Sequence, residues 1–278
     1  MAAPRGAVLH VHGYNDYFFQ AHLAHAFAEA GYAFYAVDLR TAGRSLKPGQ
    51  IPHYVTDLRQ QAADIDVAAH AIRAIEQGPL TVHAHSTGGL TAALWAHDHR
   101  ADGTGPDALV LEGPFLDLSA TWWQRTVGTW LLQLAGRLQP LKVLSSSPSH
   151  YATAQLAANG GRWEFDTTLK RPEGVPARQG WMRSARRGHA QVRRGLGLTC
   201  PVLVAYSAES GPDDPANPLL DAQDTILDVR QIAAQAPRLG ADVTQLVVEG
   251  AVHDLTLSDD EPRAAYLAGM LGWLEGKL

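Results

Sequence analysis

Apolar residues run continuously over short stretches of this chain, and those stretches alternate with segments in which apolar positions recur every three or four residues. The continuous runs are Ala7 to His12 (AVLHVH), Ala33 to Leu39 (AFYAVDL), Leu80 to His85, Ala108 to Leu111, Pro201 to Tyr206 and Val243 to Val248. Their length and content predict buried strands. Helical spacing predicts helices over 20–30, 57–77, 88–99, 224–236 and 261–275. Gly31 and Gly78-Pro79 stop the first two of these, as glycine and proline do beyond a helix end. Thr41 to Pro52 carries Gly43, Pro48, Gly49 and Pro52 and reads as a loop. Strand and helix in alternation, with mostly continuous apolar strands, predict an α/β fold: a mostly parallel sheet covered by helices on both faces.

The alternation breaks over residues 115–196. That stretch holds five of the seven tryptophans (Trp122, Trp123, Trp130, Trp163 and Trp181) and the turn SSSPSH. We read it as a helical lid inserted into a core formed by 1–114 and 197–278. Open parallel sheets bind ligands at the carboxyl ends of their strands, and the lid is expected over that end. Trp123 and Trp130, seven apart, share a face if helical. The tryptophans are either core or an apolar wall for a substrate.

Composition narrows the class. Of 278 residues, 46% are hydrophobic and 18% charged, a globular balance. The net charge of -5 gives no field to attract nucleic acid or an anionic membrane. The single cysteine, Cys200, excludes an intrachain disulfide. It is expected to be a buried structural thiol, and a cytoplasmic location fits. No run approaches the about eighteen apolar residues of a membrane span, and the first residues lack a signal-peptide pattern.

Chemistry concentrates around VHAHSTGGL at 82–90. A serine between a buried strand and a helix, with small residues two before and two after, fits a nucleophile elbow. Here Ala84 stands where glycine is more common, and Gly88 follows. A serine hydroxyl needs a base, and the base an orienting acid, in the chain order serine, acid, histidine. His253, in EGAVHDL after the last strand, is the expected base. Asp224 in DAQDTILDV is the favoured acid, with Asp228 and Glu112 as alternatives. The oxyanion donors are expected to be the amides of Thr87 and of Tyr14 in HVHGYND, where Gly13 permits the turn.

Thirteen histidines raise a metal. His10 and His12 share a strand face, as do His83 and His85. However, no HExxH pattern and no second cysteine accompany them, so neither metal nor cofactor is expected. His12 reads as a structural residue of the His-Gly turn, and His85 as a wall beside Ser86. Arg183, Arg186, Arg187, Arg193 and Arg194 read as a solvated helix face, or else as a contact for an acidic head group.

Together HG at 12–13, VDLRTAGRS at 37–45, AHSTGG at 84–89 and GAVHD at 250–254 resemble the α/β-hydrolase superfamily. The branch they are most similar to is that of monoacylglycerol lipases, lysophospholipases and serine aminopeptidases. Its Asp-x-x-x-x-Gly-x-Ser loop is matched by Asp38, Gly43 and Ser45, and its Asp-x-x-x-Asp segment by Asp224 and Asp228, which favours Asp224. The resemblance implies a serine hydrolase of carboxylic esters with an apolar acyl group, such as monoacylglycerols or lysophospholipids. An amidase, peptidase, thioesterase or acyltransferase would use the same residues, and a non-catalytic binding protein on this fold is the reading from another class. Two departures stand out. Only six residues precede the first strand, so either the family's N-terminal hairpin is absent or the chain start is not the full natural one; the strand at 33–39 is then expected to be an open sheet edge, inviting a homodimer. The acid loop, SAESGPDDPANPLLDAQD, is also long for the family.

Overall fold

A computed structural model describes residues 3–118, 136–145 and 149–278. Its main sheet has six strands, all parallel: β1 (Ala7–Val11), β2 (Ala33–Val37), β3 (Leu80–His85), β4 (Ala108–Glu112), then β7 (Val202–Ser207) and β8 (Val243–Val248). Between β4 and β7 a small antiparallel pair, β5 (Val143–Ser145) and β6 (Ala177–Arg178), forms separately. The helices are α1 (Ala21–Glu29), α2 (Arg59–Arg73), α3 (Ser86–Asp98), α4 (His150–Gln155), α5 (Gln179–Arg194), α6 (Val229–Gln235) and α7 (Asp260–Lys277).

The strand order is β2-β1-β3-β4-β7-β8. From β1 the chain moves outward to β2, then returns through α2 to place β3 on the other side of β1. The order therefore reverses between β1 and β3, and a crevice opens at their carboxyl ends. Those ends are level, with Val11 beside Ala84 and His85 beside Glu112. The loop leaving β1 and the turn leaving β3 thus meet in the crevice.

Alternate residues of each strand feed two cores. Leu9, Val11, Val82, Ala84, Leu109 and Val204 pack with α2, α3 and α5. Val8, Val110, Leu203 and Ala205 pack with Leu23 and Phe27 of α1 and Tyr266, Met270 and Leu274 of α7. The central strands are buried at every residue, as continuous apolar runs require. β2 pairs only with β1 and is half-exposed, and no strand precedes β1 among the described residues.

Three expectations need correction. The helix expected over 224–236 begins only at Val229, because the Asp224 side chain holds the amides of Ile226 and Leu227 and Asp228 accepts from the Arg230 amide as the cap. Asp228 therefore caps that helix instead of sitting a turn inside it. The helix expected from 88 begins at Ser86 itself. The arginine stretch in α5 is not simply a solvated face. Arg186 is buried, 3.1 Å from Asp117, and Arg193 reaches the same carboxylate oxygen. Cys200 is half-buried, and burial pushes its thiol up to about 11. Trp122, Trp123 and Trp130 lie outside the described residues. Trp163 donates to the Leu257 carbonyl at 2.7 Å, and Trp181 packs on Tyr14 with ring centres 4.5 Å apart. Among the described residues no helix is long and apolar enough to cross a membrane.

Candidate active site

Ser86 ends β3 and opens α3 with φ of +53°. A side chain other than glycine's is rarely held in this left-handed region, at a cost of about 1–3 kcal/mol. The turn is possible only because its neighbours are small. A Cβ on Gly88 would lie 2.3 Å from the His12 carbonyl oxygen, and one on Gly13 would lie 3.0 Å from the Ser86 Cβ. The same contacts set the loop after β1 directly against Ser86. The Ser86 carbonyl is fixed by the Phe115 amide at 3.0 Å.

His253 arrives from the loop after β8. Its Nε2 is 3.0 Å from Ser86 Oγ, and its Nδ1 is 2.8 Å from Asp224 Oδ2. All three side chains are buried. A carboxylate only accepts, so Nδ1 carries the proton and Nε2 is left to accept from the Ser86 hydroxyl. Asp224 is itself fixed: its Oδ1 takes the amides of Ile226 and Leu227 at 2.9 and 2.8 Å. Gly113, with φ of +50°, lets the chain pass under His253, where a Cβ would lie 2.6 Å from the His253 carbonyl oxygen.

The two other candidate acids lie elsewhere. Asp228 caps α6 and pairs with Arg230 at 3.0 Å. Glu112 sits beneath the site, 2.9 Å from the Thr256 amide, and hydrogen bonds to Asp254. Burial first, and then the Asp254 charge, push the Glu112 carboxyl well above its ordinary range, so it keeps its proton and donates it. Burial alone would raise Asp254 too. Instead His85, once protonated, the Lys170 charge and hydrogen bonds from Thr256 and Glu112 hold it well below.

Thr87 is the second residue of α3, so its amide is among those without an intrahelical acceptor. The positive end of the α3 dipole lies at the same point and favours negative charge there. Tyr14 follows Gly13 on the loop facing Ser86. His12 fixes that loop, as expected of a structural histidine: its Nε2 accepts from the Leu39 amide at 3.0 Å, so its Nδ1–H donates to the Gly13 carbonyl at 2.8 Å. His85 lies beside His253, ring centres 4.9 Å apart and planes tilted by 59°. Of the strand histidines, His10 and His83 meet at 3.0 Å in the α1–α7 core, and His83 also reaches the Tyr266 hydroxyl.

Sequence reasoning missed Asp16, Lys170 and Asp254. Asp16, His85 and Asp254 bring ligand-type atoms within 4.8 Å of one another. The signal for Asp254 is a charge set between the apolar positions Val252 and Leu255. Asp16 and Lys170 leave no comparable trace.

A parallel sheet wound both ways from β1, with a serine on a strained strand-to-helix turn at its switch point facing an imidazole, defines the α/β-hydrolase class. The family described as serine aminopeptidase, S33 matches residues 2–260, and the chain belongs to that hydrolase family. No curated protein matches the sequence. Solved structures show the same fold. A soluble variant of monoglyceride lipase from Saccharomyces cerevisiae, in complex with a substrate analog, is 18% identical with a TM-score of 0.72, over 99% of this chain and 88% of that one. The monoacylglycerol lipase of Paleococcus ferrophilus is 18% identical with a TM-score of 0.73, over 99% and 96%. A highly thermostable carboxyl esterase from Bacillus coagulans, in complex with glycerol, is 16% identical with a TM-score of 0.65, over 99% and 91%.

Proposed function

We propose that this hydrolase cleaves carboxylic esters through an acyl-enzyme on Ser86. The observation that carries the reading is the continuous chain from Ser86 Oγ to His253 to Asp224, at 3.0 and 2.8 Å, on the elbow turn. His253 Nε2 takes the hydroxyl proton as Ser86 Oγ attacks the carbonyl carbon, and the C=O electron pair moves onto oxygen. Asp224 holds the ring in the accepting tautomer and faces the imidazolium that forms. The amides of Thr87 and Tyr14 hold the oxyanion. The intermediate expels the alcohol, which takes the proton from His253. Water then attacks the acyl-enzyme by the same steps in reverse, and Ser86 recovers its proton. No metal or cofactor enters this route.

The segment 115–196 is proposed as a lid, and the acyl group as apolar. Trp181, Tyr14 and Tyr54 belong to one apolar cluster beside the Gly13 loop, and two structures of the same fold are monoacylglycerol lipases; both support a monoacylglycerol-like or, by its chemistry, lysophospholipid-like substrate. The family's description as an aminopeptidase is the ground for a second reading, cleavage of an amide at the same serine.

A fluorophosphonate probe is expected to label the wild type and to leave Ser86→Ala unlabelled; equal labelling of both overturns the serine reading. Turnover of p-nitrophenyl esters is expected to rise from acetate to octanoate and to exceed that of aminoacyl p-nitroanilides. A profile that favours acetate rejects the lipophilic acyl group, and faster anilide turnover selects the peptidase. A homodimer is proposed through the half-exposed edge of β2. Light scattering is expected to give twice the 29.9 kDa chain mass, and proline at Tyr35 to give the monomer; a monomeric wild type removes that interface.

A further inference from the structure

The loop that carries the Tyr14 amide is not held by the sheet alone. Each of its four residues from Tyr14 to Tyr17 has a bond to the segment 166–176. The Tyr14 hydroxyl donates to the Pro176 carbonyl at 3.2 Å. Asn15 exchanges two bonds with the Arg171 backbone, at 2.8 and 2.9 Å. Asp16 Oδ1 receives the Lys170 ammonium at 2.9 Å, and the Tyr17 hydroxyl accepts the Asp166 amide at 2.7 Å. Asn15 has φ of +53°, a left-handed turn that asparagine accepts more readily than most residues.

Lys170 is unusual among these partners. Its side chain is 7% exposed and that of Asp16 is 3% exposed. The ammonium also lies 5.2 Å from the Phe19 ring centre and 5.9 Å from that of Phe165. Asp16, His85 and Asp254 bring ligand-type atoms together, and the Lys170 ammonium bonds one of them, Asp16, and its charge lowers Asp254. A buried charge is tolerated only when paired, so this lysine fixes where Asp16 sits. Asp16 is two residues from Tyr14.

We propose that Lys170 is a positioning residue: through its buried ion pair with Asp16, the segment between β5 and β6 sets the oxyanion loop in register with Ser86. The proposal rests on the ester-hydrolase reading above. The segment that covers the site thereby also completes it, so that displacing the segment releases the Tyr14 amide from its working position. Asp16 and Lys170 touch neither Ser86 nor His253 and act through the loop.

The test is steady-state hydrolysis of p-nitrophenyl butyrate by Lys170→Met, Asp16→Asn and the double variant, with thermal unfolding measured in parallel. Each single variant is expected to lose about 10- to 100-fold in kcat with KM within about twofold, below the loss for deleting an oxyanion donor outright. The double variant is expected to lose no more than the worse single one, because one pair is being removed twice. It leaves neither member of the Asp16–Lys170 pair charged, and Asp254 keeps its hydrogen bonds from Gln20 and Thr256, so it is expected to remain folded even if Lys170→Met does not. Lys170→Arg, which keeps the charge, is expected to recover most of kcat. A folded double variant with wild-type kcat overturns the proposal, as does a loss of melting temperature with kcat unchanged at 25 °C. Wild-type enzyme without Ser86-dependent turnover fails the hydrolase reading instead, so the two failures are distinct.

Discussion

Asp224→Asn is expected to lose about 10⁴-fold in kcat, nearly as much as the 10⁴- to 10⁶-fold loss expected for Ser86→Ala. The hydrogen bonds around Asp224 say why. Its Oδ1 is already held by the amides of Ile226 and Leu227, and its Oδ2 faces His253 Nδ1. In the asparagine variant the two amides keep the side-chain oxygen, because they need an acceptor. The NH₂ group is then left facing Nδ1. A donor there forces the ring proton onto Nε2, which can no longer accept from Ser86. The loss therefore falls on kcat with KM little changed. Glu112→Gln and Asp228→Asn are the controls. Glutamine reproduces the protonated, donating carboxyl of Glu112, and Asp228 serves α6 as a cap. Both are expected to keep kcat within about tenfold while Asp228→Asn costs at most about 1 kcal/mol of stability. Steady-state kinetics on p-nitrophenyl butyrate decide it. A nearly active Asp224→Asn beside a collapsed Glu112→Gln or Asp228→Asn would show that the acid has been misassigned.

Local signals made the sheet legible and tertiary ones did not. Each central strand is buried at every position and mostly apolar, so a run such as Leu80 to His85 reads as a strand despite Thr81, His83 and His85. The serine turn was legible because its steric demand falls on near neighbours: Gly13 and Gly88 are small where a Cβ would strike Ser86 or the His12 carbonyl. His253 was legible from its place after the last strand. Asp224 was harder, because aspartates at both 224 and 228 can stop a helix, and only the fold shows which one meets an imidazole. The helix start was misjudged for the same reason: apolar spacing continues back to 224, but side-chain bonds to amides compete with helix there. Glu112 looked like a spare acid because it ends a strand beside the elbow. Its burial against Asp254, which turns it into a neutral donor, depends on residues more than a hundred positions away. The Asp16–Lys170 pair joins positions 154 residues apart, and no pattern along the chain marks either partner.

The polar floor beneath the site has a second consequence. Histidines that the sequence offered as a metal question are instead packed neutral. The edges of two rings are spent on each other and on Tyr266, and His189 bonds the Phe115 carbonyl at 3.0 Å. Their imidazoles replace aliphatic core at positions where backbone and hydroxyl groups need partners. That arrangement holds only while the rings carry no charge, and this sets the limit of the fold on the acid side.

Lowering the pH from about 6.5 to 5 is expected to remove several kcal/mol of stability. Burial pushes His53, His83 and His189 down to about 3 and His85 to about 4, and burial with the neighbouring His83 holds His10 well below its ordinary value. In the unfolded chain the same rings titrate near about 6.5. Above that pH both states are neutral and the rings contribute no pH dependence. Below it the unfolded chain binds protons that the folded chain refuses, so stability falls with pH, by up to about 1.4 kcal/mol per unit for each ring. The loss continues until the folded rings themselves protonate, near 3 to 4. Glu112 works the other way: its raised carboxyl adds stability below its ordinary pKa that is lost as pH rises. Its partner Asp254 is lowered, so the stability it adds is lost only below its ordinary pKa and does not change between pH 6.5 and 5. Five rings outweigh the one carboxyl, and a total stability of about 5–15 kcal/mol leaves little reserve. Urea midpoints followed by circular dichroism should therefore hold steady from pH 8 to 7, then fall continuously to pH 5. In His189→Gln, which keeps a neutral donor for Phe115, the slope should be shallower by one ring's share. A midpoint unchanged down to pH 5 would mean that these imidazoles accept protons in place, and that the floor under Ser86 is far more open to water than their burial implies.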